Sequence, residues 1–220
     1  MKRPEYPDHE MVWDITGNTA YVLTNDIDGY YIRINDAIQD IEKGKSSECS
    51  YLLFSFIALA ASTLEYTLNL MVSCWRLQEF TKDGCWKNLK FNSKDKKLLD
   101  LPSKISSGMF KLDENNSDIK QLRSLIQLRN ELMHNTEAVE ISINEMPDIN
   151  AQVIDGNLII PEEKSVIEFM METTDNIVDN LSEQMCITIG KSLIAFKDKV
   201  AVPYLTYHEF EENDMVIANR

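Results

Sequence analysis

Apolar residues recur at spacings of three and four through most of this chain, and that periodicity predicts a mainly α protein, a bundle of about four to five helices. Ile32, Ile34, Ala37, Ile38 and Ile41 mark a first helix from about Tyr31 to Lys43, ended by Lys43-Gly44-Lys45. From Ser50 to about Phe80 the chain is its most apolar, and between Tyr51 and Trp75 its one charge is Glu65. The window approaches membrane-spanning length, but it holds Ser55, Ser62, Thr63, Thr67, Asn69 and Ser73. A central glutamate would add roughly 2.5–3.5 kcal/mol to insertion, so a buried bundle helix is predicted and no membrane contact. Leu122, Leu125, Ile126, Leu128, Leu132 and Met133 give another helix from about Ser117 to Asn135, with N-cap residues in Asn115-Asn116-Ser117-Asp118. Pro161-Glu162-Glu163 opens a last long helix, whose stripe runs from Val166 through Ile189, Leu193 and Phe196 toward Lys199.

The period changes to two in places. Val139-Glu140-Ile141-Ser142-Ile143 alternates, and Gln152 to Ile160 reads as a hairpin centred on Asp155-Gly156, so a small β excursion over 137–160 precedes the last helix. Residues 1–29 are broken by Gly17-Asn18 and Asn25-Asp26; their short apolar runs, Met11-Val12-Trp13 and Ala20-Tyr21-Val22-Leu23, predict extended segments. The expected organisation is one helical domain over 1–200 and a peripheral acidic tail over 201–220, carrying Glu209, Glu211, Glu212 and Asp214.

Composition narrows the function classes. A chain of 220 residues, 44% hydrophobic and 26% charged, can bury a real core. Its net charge of −14 argues against general affinity for nucleic acid or anionic membrane. Against that background residues 82–111 stand out, with eight lysines opposing three aspartates. Lys87, Lys90, Lys94, Lys96 and Lys97 lie there with Trp86 and Phe91, and basic residues interleaved with aromatics can hold a single strand by phosphate contact and stacking. The alternative is a solvated connection anchored by its aromatics. Cys49, Cys74, Cys85 and Cys186 show no metal-ligand spacing and read as reduced thiols; with polar sequence after Met1-Lys2-Arg3-Pro4-Glu5, a cytoplasmic protein is expected. Seven glycines include no phosphate loop, and His9 and His208 lie in no hydrolase motif. Neither a metal nor a cofactor is expected.

The candidate chemistry falls on the helix ending near Asn135. Arg129 sits near the centre of its apolar stripe, where a guanidinium needs a carboxylate, or a seam that an anion can reach. Asn130 and His134 are four apart on one flank. A permanent cation, a group that moves protons near neutral pH and an amide that can orient it suit attack on a phosphodiester. Glu65 is a candidate supporting carboxylate for Arg129.

Arg129-Asn130-Glu131-Leu132-Met133-His134 resembles the motif of the HEPN superfamily, an Arg followed by a polar residue and, a few positions on, a His on one helix. Ala60-Ala61-Ser62-Thr63-Leu64-Glu65-Tyr66-Thr67-Leu68 is similar to an early helix of that family, which often carries an acid in a small-residue run. The resemblance implies a HEPN-like bundle and a metal-independent endoribonuclease, with Arg129, His134 and Asn130 catalytic at the interface of a homodimer. It also implies RNA as substrate, and a toxin or antiviral role with an antitoxin or regulatory partner. Thr136 stands where one subgroup has a modifiable tyrosine, so that form of control is not carried over. The alternative is a non-catalytic HEPN-like dimeric scaffold that binds a protein or a nucleotide.

Overall fold

In a computed structural model the described residues are 9–13, 20–24, 26–47, 49, 51–85, 87–133, 152–154, 157–159 and 181–218. Among them the fold is mainly helical, with a small two-stranded antiparallel hairpin ahead of the last helix. Two compact units are present, residues 1–129 with 182–220, and residues 130–181.

In the first unit, strands β1 (His9–Trp13) and β2 (Ala20–Thr24) pair antiparallel, which is how the two short N-terminal apolar runs satisfy their backbone groups. Helix α1 spans Ile27–Glu42 and starts earlier than its pattern indicated. Its buried positions are Ile27, Tyr31, Ile34, Ile38 and Ile41, alternately four and three apart, so Tyr31 holds the place in the stripe that Ile32, an exposed residue, does not. Helix α2 (Leu52–Asp83) is the long axis of the unit, ended by Gly84 in the left-handed conformation at φ 70°, its N–H on the Phe80 carbonyl. Among the described residues, α2 is the one helix long and apolar enough to cross a membrane. It packs on α1, α3 and α5 through Phe56, Ile57, Ala60, Leu64, Leu68, Met71 and Leu77.

The buried hydroxyls of α2 are satisfied within the helix. Thr63 Oγ1 donates to the Leu59 carbonyl and Thr67 Oγ1 to the Thr63 carbonyl, each at 2.8 Å, and Thr67 also meets the Tyr31 hydroxyl at 3.2 Å. Helix α3 (Lys94–Ile105) is capped by Ser93, whose side chain accepts from the Lys96 N–H. Strand β3 (Phe110–Leu112) follows, then α4 (Ser117–Met133). Asn116 Oδ1 caps α4 by accepting from the N–H groups of Asp118 and Ile119, as the Asn-Asn-Ser-Asp run led us to expect. Arg123 on α4 grips Asp95 on α3 through Nε at 2.7 Å and Nη2 at 3.2 Å, tying the two helices together.

Helix α5 (Glu183–Phe196) runs through a π-helical turn, Lys197–Ala201, into α6 (Val202–Tyr207). Gly190 lets α5 approach closely: a β-carbon there would stand 2.6 Å from Ile38 Cδ1. The π turn sits just before Pro203, which has no N–H for the Lys199 carbonyl, and Asn213 Nδ2 donates to that carbonyl at 2.9 Å instead. Residues 201–218 are therefore not the peripheral tail that their acidity suggested. Tyr204, Leu205, Phe210, Met215 and Val216 are buried among exposed acids, and β6 (Val216–Ala218) pairs antiparallel with β3. Isolated charges obscured an apolar pattern at irregular spacing.

In the second unit, β4 (Gln152–Ile154) and β5 (Asn157–Ile159) form the expected hairpin, in the register Val153↔Leu158. Val139–Ile143 and residues 160–180 lie outside the described residues; the expected helix from Pro161 to Lys199 is not continuous, because Leu181 is non-helical and Ser182, in extended conformation, caps a fresh start at Glu183.

Burial pushes the Tyr31 hydroxyl well above its usual range, opposed by its bond to Thr67 and aided by the charge of Asp198. An acid whose folded pKa is raised contributes stability that is fully present below its unfolded value of 10 and is lost as pH rises above it. Tyr31→Phe should cost about 1 kcal/mol at neutral pH, from the lost hydroxyl bond. It should also flatten the fall in the urea midpoint above about pH 10. An alkaline slope identical in the variant would show that Tyr31 does not titrate on unfolding.

Candidate functional site

Three helices meet at the residues singled out in the sequence. Along α2, Glu65, Asn69, Ser73 and Arg76 fall at successive spacings of four, four and three, so they share one face of an otherwise apolar helix. Helix α3 brings Lys94 from its first turn and Lys97 one turn on. Helix α4 buries Ile119, Leu122, Leu125 and Ile126, and Arg129 follows at the end of this stripe, half-buried rather than central to a buried face. The tie between Arg123 and Asp95 holds α3 and α4 in place around the site.

Glu65, Lys94, Lys97 and Arg129 line one small pocket, of about 30 Å3, floored by Leu64, Leu68 and Ile126. Glu65 makes a direct ion pair with Lys94, at 2.6 Å, and the charge of Arg129 acts on the same carboxylate. The Lys94 ammonium, reaching from the start of α3, meets the carboxylate directly. Its hydrogen bond is the largest of the influences holding the Glu65 carboxyl below the usual carboxylate range, with the charges of Lys94, Arg129 and Lys97 adding to it and partial desolvation opposing. Lys97 donates to Asn69 Oδ1. Its ammonium is held below the usual lysine range, first by desolvation and then by the nearby charges of Arg76 and Lys94, with Glu65 opposing.

The other candidates divide. Lys87 is engaged by Glu79 and by Asp83, the latter at 2.8 Å, which together raise its pKa. Lys90 and Lys96 are exposed, and the Lys90 carbonyl accepts from Lys104 Nζ at 2.6 Å. Of the five candidate lysines, Lys94 and Lys97 are the two that line the Arg129 pocket. Asn130 is exposed and belongs to the second unit. His134 and Trp86 lie outside the described residues.

Sequence reasoning missed Arg76. Its signal was present: Glu65, Asn69, Ser73 and Arg76 form a polar line at helical spacing through the most apolar segment, and only Glu65 was singled out. Phe91 was open to two readings, a stacking surface for a strand or an anchor for a connecting segment. It lines the groove next to the pocket, with Lys104 Nζ 4.3 Å from its ring centre.

No family model matches this chain, and neither a curated protein nor a solved structure does.

Because the folded state disfavours the charged form of Lys97, its depressed pKa is a cost at neutral pH that is relieved only as pH rises. Lys97→Met should therefore raise the thermal midpoint by about 1–3 °C in phosphate-free buffer near pH 7. A lowered midpoint would mean that the bond to Asn69 outweighs the desolvation of the ammonium.

Proposed function

We propose that the chain is a metal-independent endoribonuclease of the HEPN type. The observation that carries the reading is the pocket shared by Arg129 with Lys94 and Lys97: in a chain of net charge −14, the basic segment contributes two lysines beside the arginine of the motif. A scissile phosphate at Arg129 would meet a local positive field there.

On this reading the RNA 2′-hydroxyl attacks phosphorus, the bond from phosphorus to the 5′-oxygen breaks, and a 2′,3′-cyclic phosphate and a free 5′-hydroxyl result. His134 moves the proton, either taking it from the attacking hydroxyl or giving it to the leaving oxygen. Arg129 binds the phosphoryl oxygens and stabilises the charge that grows on them. Asn130 orients the imidazole or the phosphate, and Glu65, paired with Lys94, holds one lysine at the mouth of the pocket. The site is completed by a second copy across a symmetric interface, in a cytoplasmic protein acting as a toxin or antiviral effector under a partner's control. The acidic balance of the chain favours a second reading, a non-catalytic dimeric scaffold of the same fold that binds a protein or a nucleotide.

Purified protein in EDTA should cleave a mixed RNA pool and leave cyclic phosphate ends. His134→Ala and Arg129→Ala, with unchanged circular dichroism, should each lose about 100-fold or more in rate. Absence of cleavage by dimeric wild-type protein would move the assignment to the scaffold.

A further inference from the structure

Next to the Arg129 pocket, and sharing Lys94 and Lys97 with it, lies a second groove of about 490 Å3. Arg76 enters it from α2, the two lysines from α3, and Phe91 from the segment between these helices. Ser73 and Ser93 supply hydroxyls on its walls. Among the described residues none of the groove lining is a carboxylate.

That arrangement differs from several other cations of this fold, which rest on carboxylates. Lys87 lies between Glu79 and Asp83, Arg123 on Asp95, Lys199 on Asp214 and Lys197 on Asp28. In the groove, Glu65 reaches Lys94 from the neighbouring pocket. Lys97 has the Asn69 amide oxygen, and Arg76 donates through Nη2 to Asn88 Oδ1 at 2.7 Å. Arg76 Nε is buried and has no hydrogen-bond partner among the described residues. A guanidinium held by an amide oxygen and a partly desolvated ammonium are both costly to crowd together, and an anion bound in the groove would offset that cost. The lowered pKa of Lys97, caused first by desolvation, with Arg76 and Lys94 adding to it and Glu65 opposing, agrees with cations crowded together at a partly buried site.

The groove also holds an aromatic surface. Phe91 and the Arg76 guanidinium are the groups on which a planar base stacks, and the volume lies within the range of small-ligand sites. We propose that this groove binds a nucleoside phosphate, its phosphate among Arg76, Lys94 and Lys97 and its base against Phe91. The ligand is either a free nucleotide or one unit of an RNA strand. Its role in seating RNA beside Arg129 rests on the nuclease reading; the binding chemistry of the groove does not.

The test uses full-length His134→Ala protein, so that no probe is consumed, titrated with a fluorescein-labelled oligouridylate and separately with UMP. The groove variants are Arg76→Gln with Lys97→Gln, and Phe91→Leu alone, each checked by circular dichroism and thermal midpoint; exposed Lys111→Gln on β3 is the control. At least one probe should bind the parent and the control, with affinity falling about tenfold or more in the double variant and also falling in Phe91→Leu. Loss confined to the oligouridylate assigns the groove to a strand, and loss confined to UMP assigns it to a free nucleotide. Neither probe binding the parent, or both binding folded groove variants as they bind the parent, would overturn the proposal. Groove-dependent binding with no RNA cleavage by the wild type would overturn the nuclease reading alone. Cleavage with binding indifferent to the groove variants would overturn the groove alone.

Discussion

The burial of α2 is the constraint on which the rest of the first unit depends. A helix of 32 residues with so little charge must be covered on several sides, and α1, α3 and α5 each give it an apolar face. The covering sets the local details: Gly190 is small where α5 passes Ile38 and Phe56, and Tyr31 brings a hydroxyl where Thr67 can meet it. One strip of the helix cannot be covered in this way, the line from Glu65 to Arg76 whose side chains need polar company. The chain places α3 there, and the first turns of that helix are basic. The same necessity that closes the core therefore sets an ionic seam along its edge.

The seam is electrostatically uneven. Lys45, Lys82, Lys87, Lys191, Lys197 and Lys199 each have a carboxylate within a few ångströms, and exposed pairs of this kind contribute little to stability. Arg76 and Lys97 are held by amide oxygens, partly out of water. Amide oxygens position a cation without neutralising it, so positive potential remains at this edge of an acidic molecule. Arg129, arriving from α4, adds to that potential. Local charge rather than net charge decides what such a surface attracts, since fields are screened over roughly 8–10 Å in physiological salt.

The pattern of apolar positions made most of the helices legible. Long stripes such as those of α2 and α4 permit few alternatives, and the Asn116 cap and the β4–β5 hairpin followed from local chemistry with its own geometric signature. The C-terminal residues were harder because their order comes from distant partners. Asn213 is read as a loop residue until the Lys199 carbonyl, freed by Pro203, is seen beside it, and β6 has no meaning as a strand without β3. Helix α1 shows the intermediate case: its period was plain, but Ile32 and Tyr31 differ by one position and only packing chose the tyrosine.

For the candidate site, the sequence by itself determined which side chains were anomalous: Arg129 on an apolar stripe, Glu65 in an uncharged helix, and lysines massed in an acidic chain. Those are properties of spacing and composition, fixed before any folding. Which of them meet is a property of three helices packed together, and only the tertiary structure decided it. It gave Glu65 to Lys94, placed Lys97 and Arg129 in the same pocket, and brought Arg76 and Phe91 to a shared groove. The physical reason is range: helical periodicity specifies a face over a few residues, whereas α2, α3 and α4 are joined through side-chain contacts 28 or more residues apart, such as Lys97 with Asn69 and Arg123 with Asp95.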